Sequence, residues 1–254
     1  MSEITVSAIT KEIKEIRDLN GLDSFIAKYA ADNRDSVVKL VCKASKQKEA
    51  LMAEFARTEE MKKYEKQYSD YEFICGIDEV GRGPLAGPVY AAAVILPKDC
   101  DILYLNDSKK LTAAKREELY EIIMEKAVSV GIGFRSPERI DEINILQATY
   151  ESMRDAVSKL NPQPSLLLND AVTIPGVDIK QVPIIKGDAK SISIGAASIV
   201  AKVTRDRMMA EFDEKYPGYE FAKNKGYGTA AHIEGLKKYG PCEIHRRSFI
   251  HNYI

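Results

Sequence analysis

Four carboxylates lie where short apolar segments end, and they are Asp78, Glu79, Asp170 and Asp188. Strand ends that meet at one edge of an open sheet bring distant residues together. Several acids gathered there repel each other, and a divalent cation removes that conflict. Because Mg²⁺ prefers carboxylate and water oxygens and keeps substrate phosphate in its shell, the pattern predicts a Mg²⁺ or Mn²⁺ site for phosphoryl chemistry. The alternative is that these acids belong to ordinary acid-rich loops.

A glycine-flanked arginine follows the first pair of acids. Gly81 and Gly83 flank Arg82, and Pro84 and Pro88 stiffen the segment behind them. A backbone without side chains can approach a ligand closely, and exposed N–H groups with an arginine suit a phosphate or a hydroxyl. A dinucleotide-binding loop is excluded, because a proline and a second strand follow where a helix should begin. The alternative to a ligand loop is a tight hairpin turn.

Two further loops carry cations beside groups that suit a nucleic acid. Residues 107–112 (DSKKLT) precede a helix, where backbone N–H groups and Lys109 can form a phosphate seat; the alternative is a capped helix with solvated lysines. Residues 223–229 (KNKGYGT) place Tyr227 between glycines and lysines, so its ring can stack on a sugar or a base. The alternative there is a tyrosine that packs on its own domain. Residues 245–249 (HRRSF) add cations, unless they form a charged tail.

Strands must bring these residues together, and the order of apolar segments predicts how. Five segments are typical of strands, at residues 72–78, 89–96, 131–134, 165–168 and 181–185. Helical patterns occupy residues 112–129, 138–160, 191–214 and 229–239. The first two strands are joined by a short loop and should pair as a hairpin. Strands mixed with helices at these spacings predict an α/β sandwich with a mixed β-sheet.

The first 70 residues differ in composition from the rest. All ten prolines lie at or after Pro84, and 14 of the 15 glycines lie at or after Gly76. Over residues 35–68, apolar positions recur at spacings of three, four and seven, which is helical periodicity. We therefore expect a helical N-terminal extension over residues 1–70 and a catalytic domain over residues 71–254. The extension either contacts nucleic acid or another partner, or only packs on the main domain.

Composition indicates a globular protein and excludes several kinds of site. The 254 residues are 45% hydrophobic and 30% charged with a net charge of −1, so overall charge does not indicate nucleic acid. No apolar run reaches the roughly 18 residues of a membrane span, and the N-terminus lacks the apolar core of a signal peptide. We therefore expect a cytoplasmic protein that does not enter a membrane. The four cysteines form no C-x-x-C pair and the three histidines no H-E-x-x-H motif, so neither zinc nor a disulfide framework is predicted.

Six motifs together resemble ribonuclease HII, the bacterial type 2 ribonuclease H, in the order of that family. They are GIDEVGRGPLAGPV (76–89), NDSKKLT (106–112), LLNDAVTIPG (167–176), KGDAKSISIGAASIVAKVTRD (186–206), NKGYGT (224–229) and HRRSF (245–249). The resemblance covers residues 72–249, and the first and fourth motifs are long and specific. It implies an RNase H-like mixed β-sheet flanked by helices, with a helical C-terminal part; the helical N-terminal extension lies outside the core family pattern.

The resemblance also implies a role for each candidate residue. The carboxylates that would hold divalent metal, Mn²⁺ or Mg²⁺, match Asp78, Glu79, Asp170 and Asp188. The loop that would read the 2′-hydroxyl at an RNA–DNA junction matches Gly81, Arg82 and Gly83. The junction-sensing tyrosine matches Tyr227, and the phosphate contacts match Lys109, Ser198 and Lys202.

The implied reaction is endonucleolytic hydrolysis of the RNA strand in RNA–DNA hybrids, with nicking 5′ of single ribonucleotides embedded in duplex DNA. One metal ion would lower the pKa of a bound water and a second would stabilise the leaving 3′-oxygen. The products would carry 5′-phosphate and 3′-hydroxyl ends. A monomer acting on these nucleic acids would serve to remove misincorporated ribonucleotides and RNA primers.

Two departures from the family pattern and two rival functions stand beside this expectation. Gly195 replaces an expected alanine, which costs a helix about 1 kcal/mol, and the family's S-F-x-P continuation is missing after Phe249. The rival enzyme is ribonuclease HIII, whose N-terminal platform contains a β-sheet, and the helical extension speaks against it. The rival from another class is a catalytically silent hybrid-binding module, and the intact carboxylate set speaks against that.

Overall fold

The computed structural model describes residues 4–254, which divide into two compact units at Glu60 and Met61. The first unit contains α1 (Val6–Glu15), α2 (Leu19–Tyr29) and all but the last residue of α3 (Asp35–Met61). The described part of the N-terminal extension therefore consists of helices joined by short non-helical segments, and residues 1–3 lie outside the described residues. The predicted boundary at residue 70 stays a prediction.

Capping side chains and apolar periodicity explain the helices of the first unit. Thr5 accepts a hydrogen bond from the N–H of Ala8 at the start of α1, and Asp18 accepts one from Gly21 at the start of α2. One face of each helix is buried in a shared core made of Ile9, Ile13, Leu22, Phe25, Tyr29, Val37 and Ala44. The unit thus has an apolar core of its own.

A five-stranded mixed sheet forms the centre of the second unit. Its strands are β1 (Ile74–Val80), β2 (Val89–Ile95), β3 (Ser129–Arg135), β4 (Leu166–Asp170) and β5 (Lys180–Ile184). Their order is β3-β2-β1-β4-β5. β2 is antiparallel to β1 and β3, whereas β4 is parallel to both β1 and β5. The predicted mixed sheet and its first hairpin are confirmed.

Helices cover both faces of this sheet. On one face, α7 (Ile192–Lys215) packs on β1 and β2, and α5 (Ala113–Lys126) packs on α7, in a core that includes Ala92 and Val94. On the other face, α6 (Pro137–Ser158) buries the alternate residues of β1 and β2. α7 lies so close to β1 that a Cβ on Gly76 would be 2.1 Å from the backbone carbon of Ser193. Only glycine therefore allows this contact.

Two elements differ from the sequence expectation. β1 runs to Val80 rather than ending at residue 78, because its ladder with β2 continues through the pair Val80–Tyr90. α6 is interrupted at Asn144, whose φ of 67° is left-handed. The Asn144 side chain accepts hydrogen bonds from the N–H groups of Leu146 and Gln147 and so restarts the helix.

Four shorter helices complete the described part of the second unit. α4 (Lys63–Gln67) precedes β1, while α8 (Phe221–Asn224), α9 (Ala230–Tyr239) and α10 (Arg247–Ile250) follow α7. The helical C-terminal part is confirmed. Among the residues that are described, no helix is both long and apolar enough to cross a membrane.

Candidate active site

Asp78, within β1, and Asp170, the last residue of β4, lie side by side on adjacent parallel strands. The paired segment of β1 and β4 stops one residue before each acid. Asp78 is only 7% exposed, and its Oδ1 accepts a hydrogen bond from the Glu79 N–H at 2.8 Å. Burial raises the pKa of Asp78 well above its usual range, the charges of Glu79 and Asp170 raise it further, and a hydrogen bond from Ser198 opposes the rise. The fold therefore brings like charges together at a site that is largely buried from solvent.

Glu79 has one paired and one unpaired oxygen. Arg82 donates from Nη1 to Oε1 at 3.1 Å, while Oε2 is buried and has no hydrogen-bond partner in residues 4–254. Burial raises the pKa of Glu79, Arg82 lowers it, and the charge of Asp170 raises it. A buried oxygen without a donor costs free energy unless a cation or a donor meets it.

Asp188 joins this group from a short 3₁₀ turn, Gly187–Ala189, that follows β5. The turn is tied to the second acid, because the Gly187 N–H donates to Oδ1 of Asp170 at 2.7 Å. Burial raises the pKa of Asp188, and the charges of Asp107 and Asp170 raise it further, while Lys109 lowers it. Four acids from three chain segments are thus electrostatic neighbours, and Asp107 is a fifth that the sequence pattern did not single out.

The donor chemistry of this cluster fits a hard divalent cation. No three His, Cys, Asp or Glu side chains in the described part of the chain are arranged to hold a metal ion as they stand. Arg82 holds Glu79 and the Gly187 N–H holds Asp170, so these carboxylates face protein donors. The set still suits Mg²⁺ or Mn²⁺, because it offers only carboxylate oxygens and one of them is buried without a donor.

Helix α7 places three polar side chains on one side, at positions that share a helix face. Ser198 is 4% exposed, is hydrogen-bonded to Asp78 and lies 3.0 Å from the hydroxyl of Ser108. Lys202 is half-buried and pairs with Asp206 at 2.7 Å, and burial lowers its pKa while Asp206 opposes that change. Arg205 is the third, one turn further along. The predicted phosphate contacts of Ser198 and Lys202 stay predictions.

Lys109 is exposed and lies near the acids. Its charge lowers the pKa of both Glu79 and Asp188. Its N–H donates to Asp107 at 2.9 Å, which fixes the 3₁₀ turn Ser108–Lys110. The turn therefore holds a cation where an anionic ligand would approach the carboxylates.

The G-R-G loop lies directly on two buried arginines. Gly81 has a φ of +90°, and a Cβ there would be 2.3 Å from Nε of Arg205. Arg246 donates to the carbonyls of Gly81 and Arg82. The N–H groups of Arg82 and Gly83 have no partner among the described residues, and both residues are exposed. The loop therefore presents free donors on its outer side.

Tyr227 lies beside this loop and is 41% exposed. A Cβ on Gly83 would meet only the ring of Tyr227, at 3.7 Å. The two loops are joined because the N–H groups of Leu85 and Ala86 donate to the carbonyl of Gly226, at 2.8 and 3.3 Å. The structure thus places on one surface the G-R-G loop, which is predicted to recognise the 2′-hydroxyl, and the tyrosine that is predicted to stack.

A buried histidine pair holds the carbonyl of Tyr227. The Cys242 N–H donates to Nδ1 of His245 at 3.0 Å, so the proton of His245 is on Nε2 and is donated to Nε2 of His232 at 3.0 Å. His232 then donates from Nδ1 to the Tyr227 carbonyl at 2.9 Å. Both rings are neutral: burial lowers the pKa of His232, and it lowers that of His245 to about 4 with help from His232.

Four supporting residues escaped sequence reasoning. Arg205, Arg246, His232 and His245 are all buried. The segment 245–249 was expected to be a cationic contact or a charged tail, and for Arg246 both expectations are wrong because its side chain is 0% exposed. No sequence signal marked Arg205 as buried, because its neighbours Thr204, Asp206 and Arg207 are polar or charged.

Comparisons with known proteins give one consistent result. The family model described as Ribonuclease HII matches residues 75–252, and the model of the Ribonuclease HII N-terminal domain matches residues 5–69. The chain is 64% identical over 249 residues to Ribonuclease HII of Lachnoclostridium phytofermentans, covering 98% of each chain. It is 50% identical over 246 residues to Ribonuclease HII of Clostridioides difficile, covering 96% of each.

Two solved structures share the fold. The ribonuclease H2 from Pyrococcus horikoshii OT3 has a TM-score of 0.59 at 30% identity, over 69% of this chain and 93% of that one. The PCNA:RNase HII complex from Archaeoglobus fulgidus contains a chain with a TM-score of 0.59 at 26% identity, over 71% and 96%. Both likenesses cover about the length of the second unit.

Proposed function

The chain belongs to the ribonuclease HII family, hydrolases that act on the RNA of RNA–DNA hybrids, and on that premise we propose where and how it cuts. It nicks 5′ of single ribonucleotides embedded in duplex DNA, as well as the RNA strand of hybrids. Two-metal-ion hydrolysis leaves 5′-phosphate and 3′-hydroxyl ends. The catalytic carboxylates are Asp78, Glu79, Asp170 and Asp188.

The observation that carries this proposal is the buried, mutually repelling carboxylate cluster. Burial and neighbouring acids raise the pKa of Asp78, Glu79 and Asp188. An apolar or neutral residue would be more stable at such a place, so the acids are present for a ligand that they bind. When bound, Mg²⁺ or Mn²⁺ supplies a water of lowered pKa and positive charge for the leaving oxygen. The role of the four carboxylates is to bind the metal ions and to fix their positions.

Recognition of RNA requires a group that detects the 2′-hydroxyl. The unpartnered, exposed N–H groups of Arg82 and Gly83 are donors of fixed direction. Tyr227 lies beside Gly83 and can stack on the sugar or base at the junction. Gly81 supplies the left-handed backbone that turns the loop towards the ligand.

Cations around the carboxylates are suited to the phosphates of the two strands. Lys109 lies beside the acids, and Ser198 lies beneath them. An open groove beside α7 is lined by Arg116, Lys202, Lys223 and Lys225, among other residues. Lysine and arginine that neutralise phosphates release counterions and so give most of the non-specific affinity.

The wider biological role follows from this chemistry. The enzyme removes misincorporated ribonucleotides and RNA primers from DNA, as a cytoplasmic monomer. Residues 1–70 form a helical extension of the catalytic domain at residues 71–254. The ribonuclease HIII alternative, with its sheet-containing platform, is not favoured, because the described part of the extension is helical and matches the Ribonuclease HII N-terminal domain.

The test is a set of matched duplexes that differ only in sugar chemistry. One strand contains no ribonucleotide, one ribonucleotide or a run of RNA, and each duplex is incubated with Mg²⁺, with Mn²⁺ or with a chelator. We expect a single nick 5′ of the lone ribonucleotide, with a 5′-phosphate on the downstream product, and no cut in all-DNA. Cutting of the hybrid alone would contradict the single-ribonucleotide activity, and cutting in chelator would contradict the metal mechanism.

A further inference from the structure

Two arginines are completely buried although no acid neutralises them. Arg205 and Arg246 are both 0% exposed. No ion pair within 4.0 Å is found for either among the described residues, although the charge of Asp206 raises the pKa of Arg205 and that of Asp141 raises the pKa of Arg246. Burial lowers the pKa of Arg205 to about 10 and that of Arg246 to about 9, so both remain cations at neutral pH. A buried charge without an acidic partner is costly, and it must be held by other strong contacts.

Their hydrogen-bond acceptors are all backbone carbonyls of the two loops, and Arg246 also lies over the ring of Phe249 at 5.2 Å. Arg246 donates to Gly87 and Arg82 at 2.9 Å each, and to Gly81. Each of the three nitrogens of its guanidinium has a different carbonyl. The carbonyl side of the G-R-G loop is thereby turned inward onto one rigid group.

Arg205 joins this loop to the tyrosine loop. Its nitrogens donate to Pro88 at 3.0 Å, to Ala86 at 3.1 Å and to Lys225 at 2.8 Å. Pro88 and Ala86 are on the G-R-G segment, whereas Lys225 is two residues before Tyr227. One guanidinium therefore fixes the spacing between the loop that carries Gly83 and the loop that carries Tyr227.

We propose that Arg205 and Arg246 are positioning residues that aim the free N–H groups of Arg82 and Gly83, and the Tyr227 ring, at the ribose of the junction. The inference rests on the proposed 2′-hydroxyl recognition and adds the residues that set its geometry. Peptide planes whose carbonyls are bound on the inner side leave their N–H groups on the outer side. A lysine has one compact ammonium and cannot replace a planar fork that meets three carbonyls.

The test measures discrimination between ribose and deoxyribose separately from folding. Arg246→Lys and Arg205→Lys are made in an Asp78→Asn background, which leaves the duplex uncut. Each protein is titrated in Mg²⁺ with two duplexes that are identical except for one 2′-hydroxyl. The ratio of the two dissociation constants is the readout, and thermal melting reports folding. Arg154→Lys is the matched control, because Arg154 also donates to a carbonyl, that of Pro175, away from both loops.

We expect both lysine variants to lose at least about tenfold of the preference for the ribonucleotide duplex, while affinity for all-DNA changes less than about twofold. The control should keep the preference of the reference protein. Equal loss of affinity for both duplexes, an unchanged ratio, or a variant that is unfolded at 25 °C would overturn the positioning role. A reference protein that binds both duplexes equally would instead overturn the proposed 2′-hydroxyl recognition itself.

Discussion

Gly83 lies against the ring of Tyr227, so closely that a Cβ added to the glycine would be 3.7 Å from Cε1. The contact joins a turn after β1 to a turn before α9, and the hydrogen bonds of Gly226 to Leu85 and Ala86 hold the two turns together. A ligand that reaches one of them meets the other. Their effects on substrate choice should therefore be coupled rather than additive.

Asp78→Asn should abolish cleavage and leave binding of hybrid nearly unchanged. The amide keeps the shape of the carboxylate and loses the charge that recruits metal. We expect cleavage to fall by more than about 100-fold, measured in single-turnover reactions with Mg²⁺ and with Mn²⁺. Cleavage within tenfold of the parent would remove Asp78 from the ligand set.

Divalent cation should stabilise the folded protein, because it relieves the repulsion among the carboxylates. A ligand that binds only the folded state raises the melting temperature further as its concentration rises above its dissociation constant. We expect Mg²⁺ or Mn²⁺ to raise the melting temperature of the parent but not that of Asp78→Asn. In chelator, Asp78→Asn should melt at a higher temperature than the parent, since the variant lacks one buried like charge. An equal rise in both proteins would indicate cation binding elsewhere.

Tyr227→Ala should lower cleavage at a single ribonucleotide more than it lowers stability. The residue is 41% exposed and is not part of the buried core, so truncation removes no fully buried side chain. Loss of one stacking contact weakens recognition by about 1–3 kcal/mol, or roughly 5- to 150-fold. Tyr239→Ala is a suitable control, because that ring is 55% exposed and lies on α9 rather than on the loop. A drop in melting temperature with full activity would show that Tyr227 only packs on its own domain.

The buried histidine pair predicts a loss of stability at mildly acidic pH. Burial lowers the pKa of His245 to about 4, whereas in the unfolded chain it is near 6.5. A group whose folded pKa is depressed contributes stability that is full above the unfolded pKa and is lost as pH falls towards the folded value. The loss between pH 7 and pH 4 is at most about 3 kcal/mol for this one group.

Urea unfolding at pH 7 and pH 5 checks that window. We expect His245→Asn to be less stable than the parent at pH 7 but to lose less on acidification. His251→Gln changes an exposed histidine near the C-terminus, and this variant should lose as much stability between pH 7 and pH 5 as the parent does. A parent whose stability is the same at both pH values would contradict the neutral, proton-ordered pair.

Truncation should distinguish residue 60 from residue 70 as the end of the extension. Glu65 accepts hydrogen bonds from the Ser191 hydroxyl at 2.6 Å and from the Ser193 N–H at 3.1 Å. Tyr64 and Tyr68 also pack on the core around β4. We therefore expect a protein that begins at Met61 to fold and cleave, and one that begins at Tyr71 to melt at a lower temperature. Equal melting temperatures would show that α4 adds nothing to the second unit.

The same truncation tests whether the extension binds nucleic acid. Among its lysines are Lys39, Lys43, Lys46, Lys48, Lys62 and Lys63. If those before residue 61 neutralise phosphates, the protein that begins at Met61 should bind hybrid more weakly, with a shallower dependence on salt. Equal affinities and equal slopes at two salt concentrations would leave the first unit without a binding role.

Sequence patterns predicted the features that depend on local periodicity. They missed the buried side chains whose partners are backbone groups far away in the sequence. Strands and their acids could be predicted, because apolar segments and the residues after them follow local rules. Glu79 was expected at the end of a strand, and it lies inside β1 because β2 extends the ladder beyond it. Arg246 and His232 could not be assigned, since their partners are carbonyls and rings that share no spacing with them in the chain. Only the folded backbone shows that a residue from a cationic motif is buried.

Helix α7 has a consequence for where the product strand ends. Ser198 is hydrogen-bonded to Asp78, and Arg205 holds the two loops that would recognise the ribose. These residues are seven positions apart on one continuous helix, roughly 10 Å along its axis. Because backbone hydrogen bonds fix the rise of an α-helix at about 1.5 Å per residue, that interval cannot stretch. The bond that breaks should therefore keep a constant offset from the ribonucleotide that is recognised, whatever the surrounding bases.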